Sequence, residues 1–238
     1  MLKLPLPSLM DAVRLLRNDV DEAAFAYREW LKAKDDINFS YGPSLRTVKP
    51  VFAGIELAMA LKSLEKCPEK WRKANAEVIG LVCAEADKRK HENGKPLTCL
   101  DTPCRKFVVR PDIRFSVRPS VLYVLKKKAE VLWVQPRKKH GLNHNQIATL
   151  MAIANHTFIP EDLPEDAADI EFLDLSVDET ERRAVATYRL SDFKLPDIAA
   201  IERHFDIFAK GYDQVCTEGF EIHKKPRKRP EDRPPTLL

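Results

Sequence analysis

Glycine is scarce in this chain of 238 residues, and its scarcity excludes several common kinds of site. Only 7 glycines are present, and neither G-x-x-x-x-G-K nor G-x-G-x-x-G occurs. Both loops need glycine because the backbone must turn tightly and approach a phosphate closely. The sequence therefore excludes nucleotide binding through either motif, and we expect no cofactor.

The sequence also lacks a long apolar run and a regular cysteine pattern. No run of about 18 apolar residues occurs, so we expect no transmembrane helix and no membrane partner. The 5 cysteines are odd in number and irregularly spaced, which argues against a disulfide framework and against a zinc site. We expect a cytoplasmic protein with reduced thiols, or a nuclear one if the cell is eukaryotic.

Charge is segregated along the chain, although the net charge is only +4. Residues 105–139 hold eleven basic and two acidic side chains, whereas residues 161–181 hold ten acidic side chains and no basic one. Residues 223–238 are basic and rich in proline, which predicts a disordered tail that could contact nucleic acid or act as a nuclear-import signal. The basic segment indicates either attraction to phosphate, a solvated face, or pairing with the acidic segment.

Apolar spacing predicts helices at both ends of the chain. Apolar residues recur every three or four positions over 9–31 and again over 198–215, so each segment should carry one apolar stripe. Either stripe could pack on the core, on a protein partner or on a second copy of the chain. Residues 38–50, which contain Gly42-Pro43, are expected to form a loop, and a second helix should begin at Pro50 or Val51.

The middle of the chain predicts a mixed α/β core. A helix should begin near Pro68 and end at Gly94, and β-prone segments follow at 106–117, 121–125 and 130–137. Asn143 should cap a further helix, with strands at 169–177 and 183–190 after it. The predicted fold class is α/β (α+β): N-terminal helices in 1–66, an αβββαββα core with a mixed central sheet flanked by helices in 67–222, and the tail in 223–238.

From about residue 71 to residue 190, this order resembles the PD-(D/E)XK nuclease-like fold. The resemblance implies a Pro-Asp at the start of one strand and a (D/E)-x-K on the next, which together bind Mg²⁺ and activate water. Here Pro119-Ser120 and Gln135-Pro136-Arg137 occupy those positions. With a turn near Lys127, position 120 should lie opposite 134 or 135.

The departures from the motif predict an inactive site. Ser120 and Gln135 are neutral where the family has carboxylates, and Mg²⁺ prefers charged oxygens, so we expect no catalytic residue and no metal ligand. Arg137 cannot act as a base near neutral pH. Two alternatives stay open: Gln135 and Arg137 could form the exposed face of an ordinary hairpin, or another residue set could form a live nuclease site.

The hypothesis that follows is a catalytically inactive nuclease-like protein that binds DNA or RNA through a basic hairpin. The binding residues would be Arg118, Lys126, Lys127, Lys128, Arg137, Lys138 and Lys139, and Trp133 could stack on a base. The alternative is a scaffold subunit that binds a protein partner, or forms a homo-oligomer, through helices 9–31 and 198–215.

Overall fold

The computed structural model describes residues 3–36, 39–139, 141–162, 168–177 and 182–219, and within these ranges it is a mixed α/β fold. Its helices are α1 Leu9–Leu15, α2 Val20–Asp36, α3 Gly42–Phe52, α4 Leu57–Lys62, α5 Glu69–Asn93, α6 His144–Asp162 and α7 Ile198–Thr217. Its strands are β1 Thr98–Leu100, β2 Arg105–Arg110, β3 Ile113–Val117, β4 Val121–Leu125, β5 Lys128–Gln135, β6 Ala168–Asp174 and β7 Ala186–Arg189. The predicted fold class is confirmed.

The main sheet has five strands in the order β1-β4-β5-β6-β7, and β2 pairs with β3 in a separate sheet. β5 and β6 are parallel, and the other neighbours in the main sheet are antiparallel. α6 lies between β5 and β6 in the chain, as a parallel pair requires a crossover. β5 and β6 end at the same edge of the sheet, which we call the carboxyl edge. Because their partners run the other way, β4 and β7 begin at this edge.

β5 is the buried centre of the sheet. Val131 and Trp133 face a core that includes residues of α1, α2, α6 and α7, whereas Leu132 and Val134 face a second core with α3, α4 and α5. All four side chains are at most 4% exposed. A run that is apolar at every position is typical of a strand covered on both faces, so helices cover the sheet on both sides.

The segment 9–31 forms two helices, so the prediction of one helix was wrong. Arg17 donates from Nη1 to the carbonyl oxygens of Arg14 and Leu16, which are left free where α1 ends. Asp19 then accepts a hydrogen bond from the backbone N of Glu22 at 2.9 Å. This is a helix cap, and it begins a separate helix.

Two further boundaries differ from prediction. Residues 106–117 form the hairpin β2–β3, which turns at Pro111-Asp112 and packs Phe107 and Phe115 on Phe205 of α7. The third strand of the main sheet is instead β1. The predicted loop at 38–50 contains most of α3, because Pro43 lies in the first turn of that helix, where its missing N–H costs nothing.

The two end stripes pack on each other inside the chain. Tyr27 of α2 contacts Phe208 and Tyr212 of α7, with ring centroids 6.0 and 5.4 Å apart. The helices approach so closely at Gly211 that an added Cβ would lie 2.7 Å from the backbone N of Ala24. Of the three partners that the stripes allowed, the core is the one observed.

Two local predictions, the end of α5 and the cap of α6, are confirmed. α5 ends at Gly94, whose φ of 69° lies in the left-handed region that glycine enters without strain. Asn143 and Gln146 cap α6 reciprocally, each side chain accepting from the other's backbone N. The five cysteines are free thiols. No helix in the described ranges is long and apolar enough to cross a membrane. The tail 223–238 lies outside the described residues.

Candidate nucleic-acid interface

Ser120 lies at the carboxyl edge, just before β4, and its side chain joins β4 to β5. Its backbone N donates to the carbonyl oxygen of Leu132 at 2.8 Å, and its Oγ accepts from the backbone N of Val134 at 3.0 Å. The register Val121↔Leu132 continues to place Ser120 beside Trp133, one residue from the expected partner. The hydroxyl therefore replaces a ladder hydrogen bond where the strand pairing ends.

Gln135 ends β5 and is 1% exposed. Its Oε1 accepts from the backbone N of Arg137 at 3.2 Å, while its Nε2 is buried without a partner in the described part of the chain. The alternative in which Gln135 forms an exposed hairpin face is therefore wrong. The reason is that helices cover both faces of β5.

Arg137 lies just beyond β5 and binds a carboxylate of α1. Its Nη2 is 2.6 Å from Oδ1 of Asp11, and Nη1 of Arg14 is 3.0 Å from the same oxygen. On the neighbouring strand, Asp174 pairs with Gln135 in the register and is buried. Burial raises the pKa of Asp174, although hydrogen bonds from Ser176 and the charge of Arg14 oppose that shift.

This cluster gathers residues that sequence reasoning did not connect. Asp11 and Arg14 come from a helix more than 100 residues away, and no local pattern links them to the hairpin. Asp174 could have been connected to this site from the sequence, because it ends β6, the strand that is parallel to β5. Within the described ranges, no group of three or more His, Cys, Asp or Glu side chains is placed to hold a metal ion.

The two predicted lysine and arginine clusters lie at opposite ends of the sheet. Lys126 and Lys127 form the two-residue turn between β4 and β5, with Lys128 after them, whereas Arg137, Lys138 and Lys139 lie at the carboxyl edge. β5 separates them by eight residues, or about 26 Å. Because β5 is buried on both faces, no surface of the hairpin connects the clusters.

A groove of about 720 Å³ opens at the carboxyl edge. It is lined by α3, by the segment after β1 and by the segment before β4, and its charged residues are Arg46, Lys49, Asp101 and Arg118. Lys49 pairs with Asp101 at 2.7 Å, but the exposed side chains of Arg46 and Arg118 form no ion pair within the described residues. Arg118 was predicted from the sequence. Arg46 was missed because α3 was interpreted as a loop.

A second groove of about 480 Å³ includes Lys138, Arg182 and Arg183 among its lining residues. Arg183 connects three segments there. It donates to the carbonyl oxygens of Pro136, just after β5, and Leu175, just after β6, and to the hydroxyl of Tyr41, just before α3. The two grooves therefore flank the same edge of the sheet. Trp133 is 4% exposed, so it is not available to stack on a base.

A different polar cluster lies on the face of the sheet that α5 covers. Arg89 donates to the hydroxyl of Tyr123 at 2.8 Å, Tyr123 donates to Oε2 of Glu171 at 2.7 Å, and Arg89 also reaches that oxygen at 3.2 Å. Glu130 is 5% exposed, and its Oε2 has no partner among the described residues. Burial, reinforced by Glu171 and Asp169, raises the pKa of Glu130 to about 8. The acidic segment thus supplies Glu171 to Arg89 and Arg189 rather than to the basic hairpin.

Comparison with known proteins does not assign the chain to a family. No protein-family model matches the chain, and no curated protein matches it. The crystal structure of SSO0001 aligns over 76% of this chain and 84% of that chain, with 14% sequence identity and a TM-score of 0.35.

Proposed function

We propose that the carboxyl edge binds nucleic acid without cleaving it. The observation that carries this proposal is the groove in which Arg46 of α3 and Arg118 of the segment before β4 present guanidinium groups that no carboxylate in the described part of the chain neutralises. Arginine is well suited to phosphate because its planar fork donates two parallel hydrogen bonds. Lys138 and Lys139 extend the positive charge along the same edge.

The inactive nuclease-like interpretation is supported by the order of the elements. α5, β1, β4, β5, α6 and β6 follow the helix, three strands, crossover helix and strand that the resemblance implies, with β2–β3 inserted. At the motif positions, the hydroxyl oxygen of Ser120 and the amide oxygen of Gln135 each accept a backbone hydrogen bond. Neither is a strong ligand for Mg²⁺, so we expect binding but no cleavage.

The proposed interface uses one end of the sheet. It comprises Arg46, Arg118, Arg137, Lys138 and Lys139, and it omits Lys126, Lys127 and Lys128, because Lys126 pairs with Glu92 at the opposite end. The scaffold alternative relied on exposed apolar stripes, and the stripes of α2 and α7 are instead buried against each other. We place the binding activity in the cytosol, or in the nucleus of a eukaryotic cell, where the five free cysteines would stay reduced.

The test is a salt titration with charge-matched variants. A fluorescent duplex and a single strand are titrated between 50 and 200 mM salt with the wild type, with R46Q/R118Q, and with K126Q/K127Q as the matched control. R46Q/R118Q should bind more weakly, and its salt slope should be shallower by about two units, since each lost phosphate contact removes about 0.9 on duplex DNA. The control should bind like the wild type.

Two results would contradict the proposal. Equal losses in both double variants would mean that binding follows total charge and uses no particular edge. Absence of binding by the wild type at 50 mM salt would remove the function altogether. A parallel incubation with Mg²⁺ or Mn²⁺ should leave plasmid and single strands intact, and cleavage that EDTA abolishes would overturn the inactive assignment.

A further inference from the structure

Asp11 occupies a position that is built like a binding site for an anion. One of its oxygens, Oδ1, contacts Arg137 at 2.6 Å and Arg14 at 3.0 Å, and the other accepts from the hydroxyl of Ser8 at 2.9 Å. Two guanidinium groups and a hydroxyl around one carboxylate form the donor set that phosphate also requires. Arg137 adjoins Lys138 and Lys139, so this position borders the proposed interface.

The donors at this position outnumber their acceptors. Arg14 uses Nη1 for Asp11 and for the carbonyl of Met10, but its Nε and Nη2 are buried without a partner in the described part of the chain. The Nε and Nη2 hydrogens lie on one edge of the guanidinium and form the fork that binds two oxygens side by side. Gln135 pairs with Asp174 in the sheet register, and its buried Nε2 also lacks a partner among the described residues.

The surroundings of Arg14 also disfavour its positive charge. Burial lowers the pKa of Arg14, and the charge of Arg137 lowers it further, while Asp11 and Asp174 act in the opposite direction. A phosphate carries at least the charge of one carboxylate and offers more acceptor oxygens, so it would satisfy these donors more fully than Asp11 does.

We propose that Arg14 and Arg137 form a subsite for one phosphate of a bound nucleic acid, and that the Asp11 carboxylate occupies this subsite in the unbound protein. Asp11 then competes with nucleic acid, and binding requires its side chain to rotate away while α1 stays in place. α1 is held independently by Leu9, Ala12, Val13 and Leu15, which are buried in the core. This inference rests on the proposed function and assigns a regulatory contact to it.

The experiment removes the competing charge and keeps its shape. In D11N, the side chain is neutral but isosteric, so Arg137 becomes available to phosphate. The affinity for the fluorescent single strand should rise several-fold at 100 mM salt, and the salt slope should steepen by about 0.7, the value for one added phosphate contact on a single strand. D87N, which removes an exposed carboxylate from α5, is the matched control and should bind like the wild type.

A second variant keeps the test interpretable if D11N is less stable. The gain in affinity should disappear in D11N/R137Q relative to R137Q alone, with thermal midpoints recorded for all variants. A gain that persists without Arg137, or one that D87N reproduces, would show a general charge effect and overturn the subsite.

The subsite and the broader function fail differently. If the wild type binds and R46Q/R118Q weakens it, but D11N changes nothing, the subsite is wrong and the interface stands. If neither the wild type nor D11N binds, both proposals fall.

Discussion

Replacing Glu130 with glutamine should stabilise the protein in alkaline solution and change little in acid. Glu130 is buried on the α5 face of the sheet, its Oε2 lacks a hydrogen-bond partner among the described residues, and Glu171 and Asp169 are close enough to oppose its ionisation. The folded protein therefore holds the proton more tightly than the unfolded chain does. Glutamine reproduces the shape of the protonated acid and cannot ionise.

The size of the effect follows from the shift. The pKa of Glu130 rises from 4.5 to about 8, and each pKa unit corresponds to about 1.4 kcal/mol of differential stability, so the full effect is of order 5 kcal/mol. Because the folded-state pKa is the higher one, unfolding releases a proton between these values. The stabilising contribution is complete below pH 4.5, and it is lost as the pH rises through about 8.

The assay is urea unfolding of the wild type and E130Q between pH 5 and pH 9, followed by tryptophan fluorescence. The difference in unfolding free energy should widen in favour of E130Q as the pH rises. E92Q is the control, because Glu92 is exposed and pairs with Lys126, and its effect should stay within about 1 kcal/mol at every pH. A difference between E130Q and the wild type that is the same at pH 5 and pH 9 would refute the reasoning. It would mean that Arg89 and Arg189 keep Glu130 ionised throughout.

Two further predictions concern the backbone. Lys126 and Lys127 have φ values of 48° and 73°, and Asn-Gly is the pair that adopts such values most readily in a two-residue hairpin turn. K126N/K127G should therefore gain about 1 kcal/mol in urea unfolding without weakening oligonucleotide binding. K128G, at an ordinary strand position, should lose stability, and a gain there would contradict the argument. G211A should destabilise the fold by about 1–3 kcal/mol, because the added Cβ would meet the backbone of Ala24. G80A, where an added Cβ would have nothing within 4 Å, should stabilise α5 by up to about 1 kcal/mol. A change in unfolding free energy of the same sign for both variants would show that helix propensity alone decides.

Local patterns predicted the elements whose signals are local. The cap at Asn143, the stop at Gly94 and the apolar run 131–134 all depend on neighbours within a few residues, and their elements form near the expected positions. The run 131–134 also carried a signal for burial on both faces, which would have placed Gln135 inside the sheet. Gly42-Pro43 misled because the same dipeptide begins turns and helices.

The candidate site was less accessible to sequence reasoning because its residues meet only through tertiary packing. Arg118, Lys138 and Lys139 were found as members of a charge run, yet the run also included Lys126 and Arg110, which pair with Glu92 and Asp213. Arg46 and Asp11 belong to helices on other parts of the chain. Which cations stay unpaired depends on the positions of distant carboxylates, and periodicity carries no information about those positions.

The contact between α2 and α7 has a consequence for biosynthesis. Ala24 and Gly211 touch across about 190 residues of sequence, so α7, on which the apolar stripe of α2 packs, is synthesised long after α2 itself. At roughly 5–20 residues per second, that delay lasts on the order of 10–40 s. During this time the nascent chain exposes Ala23, Tyr27 and Leu31, which are buried in the finished fold. A chaperone that binds short apolar helices would bind α2 during this time, and α2 would no longer need it once α7 has emerged and packed.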